Sequence, residues 1–231
     1  MASSRDIFVQ KSKLIAFKGR KDVLSNYYPC SIYYKEQWFN CVEQAYQYDK
    51  AVFHNRQNIA DKIITLKDPY LQKLCARTID INDDWIKSRV HYMKNILSAK
   101  LDCVREYKSL LLNSKGLIVE AVPGERFWSC GLSKADVYQQ RSWSGDNMMG
   151  KLHMELRAEI QLIQSIIMAQ QNHMSQQCKS YSNIDDIYFN LEHAQVTIFT
   201  KSAKCAYAFA DDFAVPRKAV RVVTGSNYLG S

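Results

Sequence analysis

Glu43, Gln47 and Lys50 fall at i, i+4 and i+7 within the run CVEQAYQYDKAVFH, so a helix over Cys41–His54 places all three on one stripe. A carboxylate and an ammonium two turns apart can flank one small ligand, as acid or base and as charge stabiliser or amine nucleophile. The same spacing also describes an exposed polar helix face. A second group, Gly145-Asp146-Asn147-Met148-Met149-Gly150-Lys151-Leu152, nearly spells a phosphate-binding loop. That motif needs Ser or Thr after the Lys to hold Mg²⁺, and an apolar strand before it. Leu152 replaces the hydroxyl residue and residues 139–144 are polar, so a nucleotide triphosphatase is excluded. What remains is a turn from Gly145 to Gly150 that opens a long helix, whose free N–H groups can receive an anion. The alternative is that Asp146 or Asn147 simply caps that helix. Of the four tryptophans, Trp38 and Trp85 follow core patterns. Trp128 and Trp143 lie in Gly- and Ser-containing loops, where an indole serves as a stacking platform for a base.

The elements that must position these groups follow from local patterning. Short β-branched and aromatic runs at Asp6–Val9, Lys13–Phe17 and Ser31–Tyr34 read as strands separated by turns at Lys18–Lys21 and Ser25–Pro29. Helices are expected over Cys41–His54, over Arg56–Leu66, and after an Asp68 N-cap with Pro69 at the first helical position. Asp83 or Asp84 is expected to cap the helix carrying Trp85, Arg89, Met93 and Ile96, and Cys103–Asn113 forms another that stops near Gly116. Leu117–Val122 reads as a buried strand. A long helix runs from about Asn147 to Gln171 with Leu152, Leu156, Ile160, Ile163 and Ile167 as its apolar stripe. Residues 170–183, QQNHMSQQCKSYSN, read as a polar linker, and Val196–Thr200 and Val220–Thr224 as strands beyond it. The organisation expected is a mainly helical α+β domain with a small antiparallel sheet over 1–170, followed by an extension, 171–231, whose fold is not legible. That extension is open to three readings: a dimerisation element, which would make a homo-oligomer, a disordered segment, or a small separate module.

The chain of 231 residues carries 31 basic against 23 acidic side chains, a net charge of +8 that lies wholly in residues 1–116, which hold 20 basic and 12 acidic groups. A basic balance suits an anionic partner such as nucleic acid or a phosphate-bearing ligand, or else a solvated basic surface. No apolar run approaches the roughly 18 residues a spanning helix needs, and the start lacks the apolar core of a secretory signal. Seven scattered cysteines without a CxxC pair suggest reduced thiols in a cytosolic or nuclear compartment. Five histidines without HxxxH or HExxH spacing give no reason to expect structural zinc.

Taken together the motifs resemble the NADAR superfamily, the YbiA-like proteins. The matching pieces run in the family's order over about residues 6–160: Leu24–Cys30, Val42–Gln47 with Lys50, Trp85 with Arg89 and Met93, Leu117–Glu120, Phe127-Trp128 with Gly131, and Gly145–Asn147 with Gly150–Leu152 and Met154–Arg157. The resemblance implies a pocket for ribose-phosphate-like ligands and N-glycoside hydrolysis without metal or cofactor. One branch of the family removes ADP-ribose from the guanine amino group of nucleic acid; another cleaves early riboflavin-pathway intermediates. Glu43 would then stabilise positive charge on the sugar. Lys50 would supply a proton or a transient Schiff base. Asn26 and Asn147 would bond sugar hydroxyls or phosphate, Arg20 and Arg89 a diphosphate, and Trp128 a base. Gln47, Trp85, Gly145 and Gly150 complete the implied binding set. The chain departs from the family pattern at Gln44, usually His, at Ser129, usually Gly, and at His153, usually Leu. The leading expectation is a hydrolase for ADP-ribosylated guanine in nucleic acid. The alternatives are a riboflavin-intermediate hydrolase releasing ribose 5-phosphate, and a non-catalytic ADP-ribose-binding scaffold.

Overall fold

A computed structural model describes residues 14–139, 142–178, 184–190, 195–200 and 220–224, and the chain divides into two compact units, Met1–Ile160 and Gln161–Ser231. The first unit opens with β1 (Ile15–Phe17), followed by β2 (Ile32–Tyr34) and β3 (Gln37–Phe39). Five helices come next: α1 (Val42–Phe53), α2 (Gln57–Thr65), α3 (Pro69–Ala76), α4 (Asp83–Cys103) and α5 (Arg105–Asn113). Then come β4 (Ile118–Glu120), α6 (Lys134–Tyr138) and the start of α7 (Met148–Cys178). Strands β2 and β3 form the expected small antiparallel pair, with Tyr33 opposite Trp38. Strands β1 and β4 form a second pair that is parallel, with Ile15 opposite Ile118 and Phe17 opposite Glu120. The fold is α+β and mostly helical. Among the described residues no helix is long and apolar enough to cross a membrane.

Capping chemistry sets the helix starts. Asp68 accepts the Tyr70 N–H at 2.9 Å, with Pro69 at the first position of α3, as the sequence predicts. For α4 the cap is Asn82, whose Oδ1 accepts the Trp85 N–H at 2.9 Å. Asp83 and Asp84 sit instead in the first turn, where their charge complements the helix dipole. Val104 is extended and separates α4 from α5, so the second of these helices starts at Arg105 and ends on Ser114, two residues short of Gly116. The core gathers Phe17, Leu24, Ile32 and Phe39 from the strand region, and Tyr46, Trp85, Met93 and Leu152 from α1, α4 and α7.

Three expectations change. Trp38 is 60% exposed on β3 rather than core, and Trp143 packs against the cluster of Ala16, Val119 and Val137 rather than standing free in its loop. Helix α7 continues through Cys178, so most of the segment read as a polar linker is helical. In the second unit, Val196–Thr200 lies within β6 (Gln195–Thr200), which pairs antiparallel with β5 (Ile184–Asn190) and parallel with β7 (Val220–Thr224). It is the central strand of a three-stranded sheet, and its Ile198 is buried. The strand expected at Asp6–Val9 lies outside the described residues.

Candidate active site

A cavity of about 340 Å³ opens between the start of α1, the end of β4 and the loops carrying Asn26 and Trp128. Glu43 and Gln47 reach it from successive turns of α1, both nearly fully buried. Gln47 Nε2 donates to Glu43 Oε1 at 2.8 Å, while Gln47 Oε1 is buried with no partner. Burial raises the Glu43 carboxyl, and Lys73, the Gln47 bond and Lys50 oppose that rise. The exposed polar face that the stripe alone allowed is therefore not what forms.

The second carboxylate on the cavity wall is Glu120, the last residue of β4. Its carboxyl is pushed up to about 8, first by burial and then by the neighbouring charges of Glu43 and Glu125. Glu125 also lines the cavity, with Oε1 accepting the N–H groups of Phe127 at 2.9 Å and Trp128 at 3.2 Å, which fixes the loop that presents the Trp128 ring. Trp128 meets Tyr46 edge to face at 5.7 Å. Lys18 and Lys73 are cationic residues of the lining.

Asn26 enters the cavity from a turn held from below. The buried Lys100 ammonium donates to the carbonyls of Val23 and Ser25, and burial lowers its pKa to about 8. Asn26 Nδ2 rests on the sulfurs of Met93 at 3.7 Å and Met149 at 3.8 Å. Its Oδ1 is buried and unpartnered, as is Gln47 Oε1. Two orphaned acceptors on one cavity wall are costly unless a ligand donates to them.

Other predicted site residues are placed differently. Lys50 Nζ donates to the Ala76 carbonyl at 2.8 Å, at the C-terminal end of α3, and is not among the lining residues; Lys73 is the amine that α3 sends to the cavity. Trp85 is buried among Tyr46, Phe53 and Tyr92. Arg89 stacks its guanidinium on Phe127 at 3.6 Å, behind the Trp128 loop. Arg20 pairs with Asp68 at 3.7 Å and lines a different cavity.

The Gly145–Gly150 turn is not an anion cradle. The N–H groups of Asp146, Asn147, Met148 and Met149 donate to the carbonyls of Arg126, Ser129, Phe127 and Trp128. A Cβ at Gly145 would collide with the Ser129 and Cys130 backbone, and one at Gly150 with the Ile118 carbonyl and the Asn147 amide. These glycines allow close packing. Asn147 is likewise committed: it adopts φ 51°, its Nδ2 donates to Ile118 O at 2.9 Å, and its Oδ1 accepts the Glu120 N–H at 2.9 Å.

The departures from the family pattern also find roles. Ser129 Oγ donates to Glu120 O at 2.6 Å and accepts from Val122 N at 2.7 Å, bracing the end of β4. Gln44 Nε2 donates to carbonyls at the end of α2, including Ile63 at 3.0 Å. The His153 ring is buried against Tyr107, whose hydroxyl lies 2.8 Å from Nδ1, and burial lowers its pKa to about 3. Glu120 is the residue that pattern reading missed. The signal was a carboxylate ending an otherwise apolar strand, Leu117-Ile118-Val119, in a segment expected to be buried.

Comparison with known proteins gives the fold and the family. The NMR structure of the Escherichia coli protein YbiA has the same fold, with TM-score 0.54, covering 65% of this chain and 86% of that one at 20% identity. The family model for the NADAR domain matches residues 8–161, and the chain belongs to that family. Relatives include the Caenorhabditis elegans protein irg-1, 29% identical over 53% of this chain and 61% of that protein. Another is N-glycosidase Npun_R5314 of Nostoc punctiforme, 28% identical over 62% of this chain and 87% of the relative. The chloroplastic riboflavin biosynthesis protein PYRR of Arabidopsis thaliana is 30% identical over 43% of this chain but only 16% of its own length. The chain thus spans less than two thirds of two of these three relatives.

Proposed function

We propose that the protein is an N-glycosidase whose cavity hydrolyses a ribosyl C–N bond, with ADP-ribose on guanine in nucleic acid as its substrate class. The observation that carries this reading is the pair of carboxylates, buried Glu43 and half-buried Glu120, that line one cavity with the orphaned Asn26 Oδ1. Cleaving a glycosidic C–N bond needs a proton for the leaving nitrogen, stabilisation of positive charge at C1′, and a water delivered to that carbon. Burial raises both carboxyls, and at Glu43 the Lys73 cation and the Gln47 bond act against that rise, so Glu120 takes the role of acid and Glu43 that of base.

Glu120, pushed up to about 8, holds its proton at neutral pH and gives it to the departing nitrogen as the C1′–N bond breaks. Burial raises the Glu43 carboxyl, and Lys73 and the Gln47 bond oppose that rise; as a carboxylate it faces the sugar cation and takes a proton from the water that adds to C1′. The products are the free amine on the base and a sugar with a hydroxyl at C1′. The proton Glu43 gained and the one Glu120 lost are rebalanced through solvent. Asn26 Oδ1 and Gln47 Oε1 accept from sugar hydroxyls, Lys18 and Lys73 meet phosphate charge, and Trp128 offers a face to the base. Lys50 has no step in this scheme.

Support for the nucleic-acid branch comes from the +8 charge concentrated in residues 1–116. A second reading, hydrolysis of a riboflavin-pathway ribose phosphate, is favoured by the cavity size, since about 340 Å³ is at the small end for ligand sites. The two are separated by incubating the protein with a guanine-ADP-ribosylated oligonucleotide and with the small intermediates side by side. Release of ADP-ribose supports the first, and release of ribose 5-phosphate alone the second. Binding of ADP-ribose with no release from either substrate would leave a scaffold.

A further inference from the structure

The start of α1 divides two cavities. Glu43, Tyr46 and Gln47 face the site described above, whereas Cys41 and Gln44 face a more open groove of about 480 Å³. Tyr27 lines both, so the two lie next to each other at this residue. Its amide groups are already committed. Asn40 Nδ2 donates to Leu66 O at 3.1 Å and Asn40 Oδ1 accepts from Gln72 at 3.0 Å. Gln44 Oε1 accepts the Asn40 N–H at 2.8 Å, and its Nε2 is spent on the end of α2.

What the groove leaves to a ligand is therefore flat and cationic. Trp38 is 60% exposed, an unusual position for an indole, and is supported from behind by Tyr33 at 5.1 Å between ring centres. Arg20 and Lys67 lie on the lining, with Asp68 held loosely by Arg20 at 3.7 Å. An open aromatic face beside two cations, with the neighbouring Asn40 and Gln44 amides already bonded within the protein, is the chemistry that takes up single-stranded nucleic acid by stacking and phosphate attraction.

We propose that this groove holds the nucleotide next to the one whose base is processed, with the single strand passing over Tyr27 and a neighbouring base stacked on Trp38. The proposal rests on reading the cavity as a site for a nucleic-acid-borne substrate; a free ribose phosphate would fill the cavity and leave the groove empty. It also gives Arg20 a phosphate of the strand in place of the diphosphate of the ligand.

The test is fluorescence anisotropy of an unmodified, labelled single-stranded oligonucleotide, together with turnover of ADP-ribosylated guanine in an oligonucleotide and as the free nucleoside. Trp38→Ala is expected to weaken oligonucleotide binding about tenfold, the scale of losing one base stack. It should raise KM for the oligonucleotide substrate alike and leave the nucleoside substrate unchanged. Trp38→Phe, which keeps a ring, should restore most of the affinity. Lys67→Ala should weaken binding and make it about one phosphate contact less steep in salt. Equal oligonucleotide affinity in wild type and Trp38→Ala overturns the proposal, as does an equal KM rise for both substrates. Binding that depends on Trp38 in a protein that turns over neither substrate would uphold the groove while contradicting the glycosidase reading.

Discussion

The side-chain oxygen of Asn147 accepts the backbone N–H of Glu120 at 2.9 Å, while the nitrogen of the same amide holds the Ile118 carbonyl at 2.9 Å. An Asn at the start of α7 thus continues the hydrogen bonding of β4 and fixes the residue that carries the acid. Asn147→Gly tests this link, because glycine tolerates the φ of 51° and removes only the amide. Two buried backbone groups lose partners, so a loss of about 1–3 kcal/mol is expected in urea denaturation, with a fall in kcat through displacement of Glu120. Unchanged stability and kcat would deny the positioning role.

Glu120→Gln separates stability from catalysis. The folded carboxyl holds its proton up to about 8 against 4.5 ordinarily, so between these values the native state binds more protons than the unfolded chain. Wild-type stability contributed by the neutral acid is present below pH 4.5 and declines as pH rises toward 8. The amide carries no such dependence, so Glu120→Gln should gain stability relative to wild type across that window. Its turnover at neutral pH should drop about 10²- to 10⁴-fold, and the wild-type loss of activity above about pH 8 should vanish from its residual rate. Thermal melts and a pH–rate profile check both halves.

Lys50 and Lys73 exchange the importance that spacing gives them. Lys73→Met should reduce kcat/KM at least tenfold, because it removes the cation that most strongly opposes the burial-raised pKa of Glu43 and takes a positive charge from the cavity wall. Lys50→Met should chiefly cost stability, about 1 kcal/mol for a half-exposed bond to the Ala76 carbonyl, with kcat little changed. A Lys50→Met enzyme that folds and is inactive would return the lysine to the mechanism.

Lys100→Met keeps the side-chain volume but releases the carbonyls of Val23 and Ser25. The turn that presents Asn26 should loosen, raising KM more than it lowers kcat. A KM equal to that of wild type, measured on folded protein, would show that the turn holds without its buried ammonium.

The helical framework was legible because its signals are local: the Asp68-Pro69 start, the Trp85–Ile96 period and the apolar stripe of α7 act within a few residues of themselves. Glu43 and Gln47 were legible for the same reason, both lying on one face of one helix. Lys50 shares their stripe, but a helix one turn longer than the cavity carries its side chain past the opening and into the end of α3. Glu120, Glu125 and Lys73 reach the cavity from three separate elements, a convergence that no spacing within the chain encodes. The polar turn at Gly145–Gly150 reads in sequence as an anion cradle because helix N–H groups are ordinarily free at a start, whereas here the carbonyls of Arg126–Ser129 accept from them. Trp38 misled because alternation on a short strand does not reveal which face is covered.

The central claim is that Glu43 and Glu120 together break a ribosyl C–N bond. Single-turnover release of ADP-ribose from a guanine-ADP-ribosylated oligonucleotide, compared among wild type, Glu43→Gln and Glu120→Gln with folding checked by circular dichroism, tests it most directly. The expected result is release by wild type and a loss of at least about 10²-fold in each variant, with ligand affinity retained in Glu43→Gln. Folded wild type that releases nothing, or variants that release ADP-ribose at the wild-type rate, would contradict it.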